Sequence, residues 1–118
     1  MLTRIELPDG IKNIESYTFS GCELLSEITI PAELATIGHD AFYICKNLTS
    51  ISLPEGMVSI GFDAFEYCTS LKQISLPKSI TSIAEDAFNH CEGLIVHCYK
   101  DSCAHTYAEK NKLRYKII

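Results

Sequence analysis

Ten side chains in this sequence are the ones best suited to hold a metal, form a covalent bond or shuttle a proton: six cysteines and four histidines. Cys22, Cys45, Cys68 and Cys91 recur at a constant step of 23 residues. A file of equivalent thiols reads as a set of small core hydrophobes. Disulfides between successive members are the alternative, disfavoured because side chains stacked in parallel rarely reach the torsion an S–S bond requires. Cys98 and Cys103 lie with His97 and His105 in the one local cluster of metal-ligand types. Its spacing, His-Cys-x-x-x-x-Cys-x-His, fits no zinc pattern. Packing within a terminal element, a Cys98–Cys103 disulfide and a bound metal remain as readings, in that order.

Asp40, Asp63 and Asp86 keep the same step, each followed by Ala-Phe and then by one of the cysteines. They sit where a helix N-cap would; calcium held between them is the sharper alternative, weakened because each repeat supplies a single carboxylate. His39 and His90 lie on the same stretch and are expected to be exposed. No serine, histidine and acid recur together, no glycine-rich phosphate loop is present, and no paired carboxylates stand apart from the repeat. The expectation is a non-enzymatic chain with no catalytic residue, no metal and no cofactor.

What must position these residues is a repeat. Leu-Thr-Arg-Ile-Glu-Leu-Pro from Leu2 returns as Leu-Ser-Glu-Ile-Thr-Ile-Pro from Leu25, Leu-Thr-Ser-Ile-Ser-Leu-Pro from Leu48 and Leu-Lys-Gln-Ile-Ser-Leu-Pro from Leu71. Ile5, Ile28, Ile51 and Ile74, and then Leu7, Ile30, Leu53 and Leu76, alternate with polar residues, the period-two signature of a strand with one buried face. Pro8, Pro31, Pro54 and Pro77 bring no N–H to a ladder and end each strand. Asp9-Gly10, Glu55-Gly56 and Lys78-Ser79 read as turns, and Ile14, Ile37, Ile60 and Ile83 mark a second short extended piece. Gly38 and Gly61 follow that isoleucine, but Glu15 and Ala84 take the same place elsewhere, so positive φ is not expected there. From Phe to Cys is a spacing of i, i+3, and one helical turn would point both inward. A unit of 23 residues cannot bury its apolar side alone; stacked units can, about 4.8 Å apart.

The fold class implied is an α/β, mainly β solenoid: a parallel sheet of stacked 23-residue coils with short helical turns. One domain over residues 1–118 is expected, with repeats at 2–24, 25–47, 48–70 and 71–93 and a cap at 94–118. After Leu94 the apolar alternation slips by one residue to Val96 and Cys98. Asp101–Lys110 reads as a helix capped by Asp101 or Ser102, with Ala104, Tyr107 and Ala108 on its inner face. Leu113, Tyr115 and Ile117 read as a last strand. Strand, helix, strand is a crossover that adds one parallel strand and covers the final coil.

Leu-x-x-Ile-x-Leu-Pro, Ile-Gly-x-Asp-Ala-Phe and Cys-x-x-Leu resemble the BspA-like class of leucine-rich repeats over nearly the whole chain. The resemblance implies a curved solenoid used for binding, often on bacterial or protozoan cell surfaces, with adhesion to host or neighbouring cells, and the strand-helix-strand end is similar to that family's terminal cap. A host or matrix protein is the implied partner. Members usually carry a secretion signal, which is not visible at Met1–Thr3.

Charge and hydropathy narrow the partner further. Residues 1–97 hold 5 Lys/Arg and 13 Asp/Glu, a balance of −8, and residues 98–118 hold 5 against 2, a balance of +3. An acidic body disfavours nucleic acid. No apolar run reaches the roughly 18 residues of a membrane-spanning helix, so no membrane insertion is expected. The exposed sheet face is the candidate binding surface, built from two ladders: Arg4, Glu27, Ser50 and Gln73, and Glu6, Thr29, Ser52 and Ser75. The same small polar residues suit a plain solvated scaffold. In that case the chain is a structural spacer, and its open amino edge offers edge-to-edge self-association.

Overall fold

The computed structural model describes residues 3–118, so Leu2, the first member of the leucine column, lies outside the described residues. Each coil contributes two short strands. The first set is β1 (Thr3–Glu6), β3 (Leu25–Thr29), β5 (Ser50–Ile51) and β7 (Gln73–Ser75), continued by β9 (Ile95–Cys98) and β10 (Arg114–Ile117). The second set is β2 (Asn13–Ile14), β4 (Thr36–Ile37), β6 (Ser59–Ile60) and β8 (Ser82–Ile83). All pairings are parallel, as coils stacked in one direction require.

The second set forms one four-stranded sheet, β2-β4-β6-β8, in which Ile14, Ile37, Ile60 and Ile83 oppose one another at the repeat step. The first set is divided into β1-β3-β5 and β7-β9-β10. On one side of the division Glu27 pairs with Ser50 and Ile28 with Ile51, a step of 23. On the other, Gln73 pairs with Ile95 and Ile74 with Val96, a step of 22. The slip after Leu94 is thus real, and the sheet divides where the two registers meet.

Between the sheets lies a core that repeats coil by coil. Phe42, Phe65, Cys45, Cys68, Leu48, Leu71 and Met57 are fully buried. The rings of Phe19, Phe42, Phe65 and Phe88 stack with centroids 5.4, 5.1 and 5.2 Å apart and nearly parallel planes. Phe and Cys both point inward as their spacing predicts, but the arc is a series of turns rather than a helix. Cys45 N–H bonds Phe42 O at 3.2 Å and Cys68 N–H bonds Phe65 O at 3.1 Å, while Phe42 N–H leaves the coil for Ala64 O at 2.8 Å. Alternate amides therefore close the turn and tie the coils together.

Gly38 and Gly61 have ordinary negative-φ backbones, as expected, and are required for closeness. A Cβ at Gly38 would lie 2.7 Å from Ser16 N, and one at Gly61 would lie 2.8 Å from His39 Nδ1. The left-handed backbone falls elsewhere, at Tyr17, Asp40 and Asp63 and again at Ile44, Tyr67 and His90. A β-branched residue such as Ile44 at φ 56° is strained. Its N–H is held by Glu66 O of the next coil at 2.9 Å, so the stack fixes a conformation the residue itself disfavours.

At the carboxyl end α1 (Cys103–Lys110) is capped by Ser102, whose Oγ accepts from His105 N–H at 3.1 Å. Ala104, Tyr107 and Ala108 face the core as expected. Tyr107 meets Phe88 edge-on at 6.2 Å and ends the phenylalanine file. Covering the last coil falls to α1: β10 lies beside β9 with Tyr115 and Ile117 exposed.

Phe65→Ala, which removes a ring stacked on both faces, is expected to cost about 3–5 kcal/mol in urea unfolding. Phe19→Ala, at a half-buried ring stacked on Phe42, is expected to cost clearly less.

Candidate interaction surface

All eight residues of the candidate face are exposed: Arg4, Glu6, Glu27, Thr29, Ser50, Ser52, Gln73 and Ser75. The structure does not join them into one continuous strip. On β1 and β3, Arg4 Nε and Glu27 Oε2 pair at 3.4 Å on the exposed surface, a contact of small energetic consequence. Ser50, Ser52, Gln73 and Ser75 instead surround a groove of about 380 Å³ at the division between β5 and β7.

The backbone shows what opened the groove. Thr49 N–H bonds Ser26 O at 3.0 Å and Ile95 N–H bonds Lys72 O at 2.9 Å, but among the described residues no bond joins Lys72 N–H to Thr49 O. Leu53 N–H likewise makes no bond to Ser75 O, although Leu7 and Leu76 N–H reach the corresponding Thr29 and His97 carbonyls at 3.1 and 2.9 Å, so the ladder between β5 and β7 is left unmade. Ile51 and Ile74 form the floor, and His97 completes the wall with its Nε2 3.1 Å from Gln73 Oε1. His97 thus lies on the sheet face, apart from His105, which shared its local cluster in the sequence. None of the groove's lining residues is an acid, a lysine or an arginine, so it offers hydroxyl, amide and main-chain groups in place of charge.

The remaining chemistry-bearing residues resolve into packing. Cys45, Cys68 and Cys91 donate their thiols to Phe19, Phe42 and Phe65 carbonyls of the preceding coil at 3.1, 3.1 and 2.9 Å. Burial pushes the Cys45 thiol up to about 12 and Cys91 to about 11, and Cys68 upward as well. Cys98 is buried and Cys103 half-buried, and all six cysteines are free thiols. Among the described residues no group of three or more His, Cys, Asp or Glu converges as metal ligands would. His105 turns to the cap: its Nδ1 accepts from Asp101 N–H at 2.9 Å.

The aspartates do not cap helices, since their arc contains none. Tyr17 and Asp40 send their N–H to the His39 and Phe62 carbonyls of the following coil, at 2.9 and 2.8 Å. By the same pattern Asp63 N–H would meet Glu85 O. That carbonyl accepts the Tyr107 hydroxyl at 2.9 Å, and Asp63 N–H bonds Asp86 Oδ1 at 3.2 Å instead. Asp86 thus replaces a main-chain acceptor that the cap has taken. Burial first, then Glu66 and Asp86, raise the Asp63 carboxyl from 3.8 to about 6.

This geometry places the chain among known proteins. The sequence profile described as BspA type leucine-rich repeat region matches residues 1–108 in six copies. The chain belongs to the BspA-type leucine-rich repeat family. Similar solved structures include a leucine-rich repeat protein from T. pallidum, 37% identical over 80% of this chain and 44% of that one, with a TM-score of 0.78. One from Bacteroides ovatus is 32% identical over 99% of this chain and 30% of that one, with a TM-score of 0.85. A leucine-rich cell surface protein from Faecalibacterium prausnitzii is 30% identical over 89% of this chain and 34% of that one, with a TM-score of 0.62. No curated protein matches the chain. The chain spans less than half the length of these three proteins. BspA-type repeats and their fold are generally non-enzymatic, and the family points to a protein-interaction or structural role.

Two measurements test the packing assigned here. A thiol reagent at pH 8 is expected to reach Cys22 and Cys103 in the folded protein, with Cys45, Cys68, Cys91 and Cys98 reacting only in denaturant. Because the Asp63 pKa is higher folded than unfolded, its contribution to stability is complete below about pH 4 and is lost as pH rises through 6. Asp63→Asn, which tolerates the left-handed backbone, is expected to remove that decline. Allowing for solvent screening, it should leave the protein more stable at pH 7 by on the order of 1 kcal/mol, measured as the urea midpoint from pH 4 to 7.

Proposed function

We propose that this chain is a protein-binding module of a cell-surface or secreted adhesin, and that it contacts a host or matrix protein through the face built on β1, β3, β5 and β7. The observation that carries this reading is the groove at the unmade ladder. A sheet that pairs fully offers a partner only side chains; here the Lys72 N–H and the Thr49 carbonyl are left without their ladder bond beside Ser50, Ser52, Gln73 and Ser75. Main-chain groups in this state are completed by another polypeptide's main chain or amide side chains. The absence of charged lining residues favours such a neutral contact over a phosphate or a metal ion. The surface location draws its support from the family and from the neighbour described as a cell surface protein.

The face carries no large aromatic anchor among its eight residues, so the contact it suits is broad and polar rather than centred on one deep pocket. Ser75→Arg places a charge in the groove at an exposed position and leaves the core untouched. With immobilised extracellular-matrix proteins and intact host cells as targets, the native chain is expected to be retained. Ser75→Arg is expected to weaken retention by about tenfold or more, with an unchanged circular dichroism spectrum. Retention by no target, or retention indifferent to Ser75→Arg and Gln73→Ala alike, overturns the assignment of this face.

A further inference from the structure

The second sheet carries a groove of its own, about 320 Å³ in volume, on residues that the proposed protein contact does not use. Thr36, Ser59 and Ser82 form one side, a row with one hydroxyl per coil. His39 and Phe62 form the other, their rings stacked 4.9 Å apart with planes 22° from parallel. The backbone of Gly38 and Gly61 runs along the groove between them. Gly61 is part of the construction, because a Cβ there would meet His39 Nδ1 and N at 2.8 and 2.9 Å.

We propose that this groove, between the Thr36–Ser59–Ser82 hydroxyl row and the His39–Phe62 stack, is a binding site for a neutral oligosaccharide. A pyranose ring has an apolar C–H face and a rim of hydroxyls, and the groove presents the complement of both. Phe62 is 57% exposed and supplies an aromatic surface already braced by His39. Phe62 N–H donates to His39 Nδ1 at 2.9 Å, so neutral His39 carries its proton on Nε2 and keeps that N–H as its remaining donor. In the hydroxyl row Ser59 and Ser82 can both donate and accept, while Thr36 Oγ1 donates to Asn13 Oδ1 and is left as an acceptor.

Two further features separate a saccharide from other occupants. The groove is lined without a single Asp, Glu, Lys or Arg, in a chain where these make up 21% of residues, so nothing in it recognises an anion or balances a cation. An extended peptide would need a free strand edge, yet β4 and β6 are interior strands paired on both sides. What remains is a ligand that stacks on an aromatic ring and hydrogen-bonds to hydroxyls from above the sheet.

The test is a two-dimensional amide NMR titration of the 118-residue chain with two neutral probes, cellohexaose and N-acetylchitohexaose, and an anionic one, a heparin hexasaccharide. The expected result is saturable shifts, by about 10 mM of at least one neutral probe, confined to the amides around Thr36–His39, Ser59–Phe62 and Ser82–Ala84. Phe62→Ala is expected to raise Kd by about tenfold or more, and Phe62→Tyr by less than about threefold. Ser59→Asp, which leaves the aromatic stack in place, is expected to weaken binding by a similar tenfold margin. The inference is overturned by the absence of saturable shifts with both neutral probes, by shifts elsewhere, or by tighter binding of the heparin hexasaccharide. Variants that bind as the native chain does overturn it too. These outcomes are independent of Ser75→Arg, which acts on the other sheet.

Discussion

Each phenylalanine of the file at 19, 42, 65 and 88 has its stacking partners in other coils, and the rest of the fold is arranged around that fact. A ring buried between two others at about the thickness of a strand spacing fixes where the next coil can lie. The cysteine three residues on adds a thiol donated to the preceding phenylalanine carbonyl, so the same arc is held through its side chains and its amides at once. Such a stack is stable in proportion to its neighbours. An end therefore needs a different surface, and Tyr107 supplies one by meeting Phe88 with its edge where a further coil would present a face.

That substitution of edge for face spreads backward. The Tyr107 hydroxyl occupies Glu85 O, which the third coil would otherwise use, and Asp63 N–H turns to the Asp86 carboxylate. Two carboxylates are brought close beside Glu66, and the raised Asp63 pKa is the electrostatic trace of the cap in the coil before it. The first sheet shows the same influence in its backbone. β7 follows β9 in a register one residue shorter than the repeat, and toward β5 neither Lys72 N–H with Thr49 O nor Leu53 N–H with Ser75 O forms its bond. The shifted carboxyl is thus a consequence of ending a periodic structure, and the groove lies where the register of the repeat meets that of the cap.

The periodic part of this architecture was legible because its physics is periodic. Ile28 and Ile51 had to face inward once Thr29 and Ser52 faced out, and the slip at Leu94, Val96 and Cys98 announced the cap before any coordinate. Ser102 as N-cap and Tyr107 on the inner face followed from helix chemistry. The misreadings share a cause. Asp-Ala-Phe looked like a helix start because an aspartate before an apolar run usually is one, but on this arc alternate amides leave for the next coil, and no helix can keep them. Left-handed Ile44 and Tyr67 carry no local signal at all, since the stack imposes on them a conformation their side chains disfavour. The unmade ladder was invisible for a related reason: Ser50 and Gln73 are ordinary residues at the ordinary repeat step, and nothing in their types marks the gap between them.

This division bears on where recognition can evolve in such a fold. Columns that face the core are bound to their repeat, because Phe, Cys, Ile or Leu in one coil is packed against the same residue in the next. Columns that face solvent carry no such obligation, and two of them do not repeat: Arg4, Glu27, Ser50 and Gln73 in one, Ser16, His39, Phe62 and Glu85 in another. A side chain placed in an outer column is held rigidly by the coil beneath it without disturbing that coil's packing. Two faces of one solenoid can therefore differ in chemistry, one polar and opened at its backbone, the other closed and aromatic, on a core that scarcely varies. The stiffness that makes the repeat readable is also what lets small groups such as Ser59 and Ser75 hold fixed positions from which to bind.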